Sequence, residues 1–353
     1  MILKSYFLGA NTPYGFYSLF NELYNPETEN NIYLIKGGPG TGKSSIMKKI
    51  ASVADKKGLT VERIPCSSDP LSLDAVIIPE LKISLADATS PHIINPVYPG
   101  VCEHSINLGQ CWKKDKLKSN SSIIKKLTKE NSLAHKKCIR FMKAAAVVNE
   151  EMIEILNSVY DNEKIRRFTE RLIKTEINNV SVGECRSIFL SAVTPLGIVV
   201  QYDTIFNFNK VLSINDKYGY VSGAITKELN NYSESNNISR TICLCPLNPE
   251  KKIDHIVFNN DFAVFSANTY HPMIKKCERT IHAERFLKKD EFNRIRNRVN
   301  FLNKTKLELT GEAVKCLEEA KALHDILESY YIAAMDFSKV SEITDCLIRE
   351  IFG

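Results

Sequence analysis

The sequence predicts an α/β protein built as two tandem modules, each an α/β portion followed by a long helical tail. Three observations carry this reading. A glycine-rich loop near residue 40 stands between a short β-branched run and an amphipathic segment. Four segments of the first half return in the same order in the second. Two long proline-free stretches, rich in Lys, Glu, Ala and Leu, close the two halves.

Composition sets the frame. The 353 residues are 44% hydrophobic and 25% charged, an ordinary globular mixture that excludes a disordered or collagen-like chain. A formal charge of +6 over this length does not call for a nucleic-acid partner. The ten cysteines contain no CxxC pair and read as reduced thiols of a cytosolic protein. No apolar run is long enough to span a membrane. The opening MILKSYFLGANTPYGF lacks the longer apolar core of a signal peptide, so a soluble, cytoplasmic protein is expected.

The loop itself reads Asn31-Ile-Tyr-Leu-Ile-Lys-Gly37-Gly38-Pro39-Gly40-Thr41-Gly42-Lys43-Ser44-Ser45. It matches GxxxxGK[ST] at Gly37, Gly42, Lys43 and Ser44. Residues 32–35 read as a buried strand. Ile46, Met47, Ile50, Val53 and Ala54 mark one face of a following helix. The chemistry needs these residue types. Glycines let the backbone bend with its N–H groups turned inward, and the new helix adds its positive end. Lys43 reaches the β- and γ-phosphates, and the Ser44 hydroxyl holds Mg²⁺. Gly37 to Ser45 are thus the nucleotide-binding residues, and the predicted modules are P-loop NTPase-like.

A Mg-nucleotide site also wants a carboxylate at the end of a neighbouring strand. Asp87, closing Lys82-Ile-Ser-Leu-Ala-Asp87, is the first choice, as catalytic residue with Lys43 and as metal ligand with Ser44. Asp69, in a Ser-Ser-Asp-Pro turn, and Glu80 are the alternatives. Each of the three could equally be a turn or cap carboxylate.

The repeat is read from four matches. Residues 6–15 (YFLGANTPYG) return as 188–197 (IFLSAVTPLG), Cys66-Ser-Ser-Asp-Pro70 as Cys245-Pro-Leu-Asn-Pro249, and residues 88–92 as 268–271. Tyr160-Asp161 with Leu172-Ile173 returns as Met335-Asp336 with Leu347-Ile348. The implied units are 1–180, with α/β portion 4–112 and tail 115–178, and 186–353, with α/β portion 187–274 and tail 275–353. Residues 178–183 read as the junction. In the second unit no GK[ST] survives. Tyr218, Tyr220 and Val221 crowd the bend, and Ala267 or Asn268 stands at the place of Asp87. One working nucleotide site and one degenerate copy are expected. That copy either packs only against the first or forms a substrate, partner or regulatory surface.

The lesser features have plain structural roles as alternatives. The first tail carries an apolar stripe through Leu133, Ile139, Met142, Ala145, Val148, Met152, Ile155 and Val159. Lysines 113, 114, 116, 118, 125, 126, 129, 136 and 137 lack interleaved aromatics and read as a solvated helix face rather than a nucleic-acid surface. Cys102, His104 and Cys111, and Cys243 with Cys245, lack zinc spacing, and the cysteines read as buried free thiols rather than metal ligands. His92 and His271 stand at matched places after strands and read as structural rather than as substrate contacts.

The strings FLGANTPYG, KGGPGTGKSS, CSSDP, DAVIIPELKISLADATSPH and NPVYPG resemble a family of uncharacterised bacterial tandem P-loop ATPases known from Gram-positive, spore-forming bacteria. The resemblance spans the whole chain. It implies a P-loop NTPase fold, ATP binding with Mg²⁺, and hydrolysis, and it implies no substrate. The degraded second loop puts a two-site mechanism in doubt. An ATPase is therefore the expected function. A kinase acting on a small molecule or nucleotide, and a nucleotide-gated scaffold without fast turnover, are its alternatives. No NKxD string favours GTP, and no LSGGQ-like signature marks a transporter ATPase. An unknown protein or small-molecule partner is expected besides ATP. Arg166, Arg167 and Arg285 are candidate arginine fingers.

Overall fold

The computed structural model describes residues 3–25, 31–92, 94–177, 180–259 and 261–353. In the first half the elements are β1 (Gly9–Thr12), β2 (Gly15–Ser18), β3 (Asn31–Lys36), α1 (Lys43–Lys56), β4 (Glu62–Pro65), β5 (Leu73–Ile78), β6 (Ile83–Asp87), β7 (Glu103–Asn107), α2 (Lys114–Ser119), α3 (Ser121–Val159) and α4 (Asn162–Leu172). The second half continues with β8 (Cys185–Ile188), β9 (Ser191–Thr194), β10 (Gly197–Val200), α5 (Tyr202–Phe206), β11 (Lys210–Asn215), α6 (Tyr220–Ser235), β12 (Arg240–Leu244), β13 (Ile253–Phe258), β14 (Phe262–Ala267), β15 (Arg279–His282), α7 (Lys289–Ala333) and α8 (Phe337–Phe352). The architecture is mixed α/β.

The two sheets share one strand order. The first reads β4-β5-β6-β3-β7, and the second reads β12-β13-β14-β11-β15 with β8 added beyond β12. In each, a single strand (β5 or β13) runs against its neighbours, and the strand before the bend is central and pairs in parallel on both sides. A strand flanked in this way is buried on both faces, which is why residues 32–35 and 211–214 are continuously apolar or small. The first sheet keeps a trace of the extra edge strand in a parallel bridge from Ser5 to Arg63.

The two hairpins repeat to the atom. Thr12 Oγ1 donates to the Gly15 carbonyl at 2.8 Å, and Thr194 Oγ1 donates to that of Gly197 at 2.8 Å. Gly15 (φ 106°) and Gly197 (φ 94°) take the left-handed conformation that closes each turn. Across the middle of the molecule, Phe7 and Phe189 exchange backbone hydrogen bonds of 2.8 and 2.9 Å. Matching residues pair with each other there, as across a two-fold axis. The two inner sheet faces and the hairpins close one core around Phe7, Leu34, Phe189 and Phe265.

Helices α3 and α7, about 58 and 68 Å long, form an antiparallel pair along the molecule. Its polarity is fixed by contacts such as Asn131 Nδ2 to the Ala320 carbonyl (2.9 Å) and Arg298 to Glu151 (2.5 Å). The buried seam of α3 runs through Leu127, Ala134, Cys138, Met142, Ala145, Met152, Leu156 and Val159. Leu133, placed on the expected stripe, is 47% exposed, because a two-helix contact selects a narrower face than a globular core does.

Three departures from the sequence reading follow. First, β15 falls inside 275–353, the span expected to be helical, and α7 begins only at Lys289. Second, each tail ends on the opposite half. Ile165, Phe168 and Leu172 of α4 pack on the outer face of the second sheet with Val221 and Ile225 of α6. Val340, Leu347 and Ile351 of α8 pack on the outer face of the first sheet with Ile46, Met47 and Ile50 of α1. The halves read as 1–180 and 186–353 thus exchange their last helices. Third, residues 73–78 form a strand, β5, outside the strands expected from the sequence, and it carries Asp74. Of the expected junction at 178–183, residues 178 and 179 lie outside the described residues.

Candidate functional site

The bend at 37–42 joins β3 to α1. Gly40 (φ 63°) and Gly42 (φ 91°) are left-handed, a conformation side chains resist. Gly42 sits at the N-cap, and no side chain caps α1. Thr41 Oγ1 donates to the Gly38 carbonyl at 2.9 Å and steadies the bend. Lys43 Nζ donates to the carbonyls of Gly37 and Gly38, both at 2.9 Å, and lies 3.5 Å from Asp87 Oδ2. The Lys43 and Asp87 side chains are 13% and 15% exposed, so this pair is largely shielded from water. Ser44 Oγ accepts the Leu73 N–H at 3.0 Å. Thr89 ties the strand ends together: its N–H donates to Asp87 Oδ1 (2.8 Å) and its hydroxyl to the Gly37 carbonyl (2.8 Å).

Of the three predicted acids, only Asp87 meets Lys43 directly. Asp69 accepts the Ser72 hydroxyl at 2.7 Å in the turn before β5. Glu80 accepts the Thr60 N–H at 3.0 Å, a bond that lowers its pKa. It lies between β5 and β6 at the far end of the sheet from the bend, which removes it from the site.

The acid missed in the sequence is Asp74. The register that pairs Ala75 with Ala86 sets Asp74 opposite Asp87 on the neighbouring strand. Asp74 is 4% exposed, and burial lifts its carboxyl to about 6 against the pull of His92; the nearby Asp87 charge adds to the lift. A readable signal existed: Asp254 holds the same second place in β13.

The far end of the chain covers the bend. A methyl group on Gly38 would lie 3.1 Å from Trp112 Cζ2 and 3.3 Å from Tyr331 Cε1, and one on Gly40 only 2.7 Å from Ile332 Cγ1. Phe337 and Val340 of α8 stand beside Gly42. No local pattern near residue 40 announces these neighbours.

The second bend, 216–219, is two residues shorter and starts α6 from left-handed Gly219 (φ 73°). Here the chain supplies its own anion. Fully buried Asp216 accepts the Ser222 N–H at 2.8 Å and the Ser222 hydroxyl at 3.1 Å. The Tyr218 hydroxyl donates to Asn300 Oδ1 (3.2 Å), and Tyr220 stacks on Tyr160 at 5.0 Å. Strand register also corrects one equivalence. Ile35 faces Asp87 and Ile214 faces Ser266, so Ser266, not Ala267 or Asn268, stands at the place of Asp87.

Arg166 pairs with Glu163 and Glu170 on α4, and Arg285 lies over Phe168 and Phe286, so both stand by the second sheet. Arg167 shares α4 and donates to the Glu163 carbonyl. The nine clustered lysines are all exposed. All ten cysteines are free of disulfides. His104 stacks on Tyr33 at 5.0 Å and meets Asn31, and neither predicted Cys/His grouping forms a ligand cluster among the described residues. His271 meets Ser191 Oγ at 2.8 Å, whereas His92 faces Asp74 at 3.4 Å between Phe16 and Phe20.

No described helix is long and apolar enough to cross a membrane. Compared with known proteins, the chain matches no family model, no curated protein and no solved structure.

Proposed function

We propose that the chain is a tandem P-loop-type ATPase with one working site, in which residues 37–45 bind the phosphates of Mg-ATP and the second half is a degenerate copy. The observation that carries this reading is the meeting of Lys43, Ser44 and Asp87 at the uncapped, glycine-started N-terminus of α1. A helix start of this kind favours an anion through its amides and dipole. The Lys43 ammonium, now on two backbone carbonyls, is within side-chain reach of a phosphate in the bend and neutralises charge on the transferred group. The Ser44 hydroxyl and the Asp87 carboxylate are hard oxygen donors that suit Mg²⁺, which would supply charge neutralisation when bound. Asp87 would also hold the metal's water shell or orient the attacking water.

Tyr331 and Ile332 lie on the bend, so phosphate binding there also acts on the end of α7. In this reading nucleotide state is transmitted to the long helix pair, through which a partner would be moved.

The test uses the protein's single tryptophan, Trp112, which packs on Gly38. Mg-ATP should change its fluorescence saturably and should be hydrolysed to ADP and phosphate. Lys43→Ala should abolish both. ATP binding unchanged in Lys43→Ala would overturn the reading, and phosphate appearing on an added metabolite rather than in solution would convert it to a kinase.

A further inference from the structure

We propose that Cys66, Asp74 and His92 form a transition-metal site, suited to Zn²⁺, beside the glycine bend of the first half. This goes beyond the nucleotide reading and does not depend on it. The three residues come from neighbouring places in the sheet: Cys66 just after β4, Asp74 in β5 and His92 shortly after β6. One ligand atom from each lies within 4.8 Å of the others. A tetrahedral zinc ion holds sulfur at about 2.3 Å and nitrogen or oxygen at about 2.0 Å, so small side-chain rotations bring all three to one centre. A thiol, an imidazole and a carboxylate form a mixed soft and borderline donor set, which suits zinc and not Mg²⁺ or Ca²⁺.

Two observations favour a cation at this place. Asp74 Oδ2 and His92 Nδ1 are buried without a hydrogen-bond partner among the described residues, and so is the hydroxyl of Ser67 next to Cys66. Asp74 is 4% exposed and His92 6%, and Asp74 Oδ2 is turned towards His92 Nε2 at 3.4 Å. Buried polar atoms of this kind are normally satisfied.

The second observation comes from the other half. Cys245, Asp254 and His271 repeat the trio at matching positions, after β12, second in β13 and after β14. There Lys252 Nζ lies 3.1 Å from Asp254 Oδ1, so the chain itself provides the cation. The residue matching Lys252 in the first half is Ser72. Cys66 N–H donates to the Ser72 carbonyl and Cys245 N–H to the Lys252 carbonyl, both at 3.0 Å. The Ser72 hydroxyl is turned to Asp69 instead. One half holds a fixed ammonium on its buried carboxylate, whereas in the other the neighbouring ammonium, Lys43, is paired with Asp87 instead. Three protein ligands leave a fourth position open to water or another donor.

The experiment is zinc alone added to chelator-stripped full-length protein, read by competition with a chromophoric chelator, with Co²⁺ as spectroscopic probe. We expect one equivalent per chain and a thiolate-to-Co²⁺ charge-transfer band. Cys66→Ser and the near-isosteric Asp74→Asn should each weaken zinc binding by at least ~100-fold, since even an outer-shell partner is worth ~10–100-fold. Cys66→Ser should erase the band, whereas Cys245→Ser and Lys43→Ala should leave stoichiometry and band unchanged. Retention of zinc in Lys43→Ala separates this site from the nucleotide site. No stoichiometric uptake by wild type, a band that survives Cys66→Ser, or one that disappears in Cys245→Ser overturns the proposal.

Discussion

Asp216 accepts the Ser222 N–H at 2.8 Å, which places a carboxylate of the chain itself at the N-terminus of α6. Both α1 and α6 start from a left-handed glycine with no side-chain bond at the N-cap itself, but only in the second half does a carboxylate ahead of that glycine accept a first-turn N–H. The second bend is closed by this contact as well as by its two missing residues. Asp216→Ala should lower stability by about 1–2 kcal/mol in urea unfolding, as loss of a helix cap does. ATP affinity measured by calorimetry should not change. A drop in affinity comparable to that of Lys43→Ala would show that the second bend is not inert.

Lys43 and Asp87 should fail differently. Removing the ammonium in Lys43→Ala takes away charge stabilisation and should reduce hydrolysis by roughly 10²–10³-fold or more, together with binding. Asp87→Asn should keep ATP binding in the absence of Mg²⁺ and lose roughly 10–100-fold in Mg²⁺-dependent turnover. Equal effects of both variants on metal-free binding would contradict the assigned roles.

Gly40 should not tolerate a side chain. Its left-handed φ of 63° and the 2.7 Å approach to Ile332 both penalise alanine. Gly40→Ala should destabilise by about 1–3 kcal/mol. Part of that cost should vanish in an Ile332→Ala background, giving a coupling energy in a double-mutant cycle. Strict additivity would argue that α7 does not rest on the bend in solution.

Lys306 gives the clearest pH signature. Burial, reinforced by the Lys252 charge, lowers its ammonium from the usual lysine range to about 8. The unfolded chain therefore binds the extra proton between about pH 8 and 10.5, and this group makes stability rise with pH across that window. Below pH 8 the penalty of the buried charge is present in full. Lys306→Met should raise stability at pH 7 by about 1–3 kcal/mol and flatten the alkaline rise. A melting temperature at pH 7 unchanged by the substitution would count against the buried-charge account.

The helix exchange can be tested at Leu347, which is 5% exposed. Leu347→Ala, close to the C-terminus, should cost about 2–5 kcal/mol. It should also loosen the first half, raising amide exchange in β3 and α1 while leaving β11 and α6 protected. The opposite pattern would mean that α8 belongs with its own half.

Much of this was legible in the sequence. The strand, glycine bend and helix at 31–56 follow from apolar period and glycine placement over a few residues. So do the order of the repeat and the placing of Asp87 at the end of a strand beside the bend. What stayed hidden was whatever required a partner far along the chain. Asp74 became a candidate only when strand register set it opposite Asp87, and Ser266 replaced Ala267 and Asn268 for the same reason.

By itself, then, the sequence determined the local geometry of one glycine-rich bend between strand and helix and the absence of the same loop from the matching place in the second half, because backbone dihedral preference and side-chain periodicity act between near neighbours. Only the tertiary structure decided which helices cover that bend and which acids and thiols meet beside it. Tyr33 donates to Glu350 at 2.9 Å across 317 positions. Contacts of that range depend on closing a long loop and on which core remains open when the tail returns, and no window of adjacent residues encodes either.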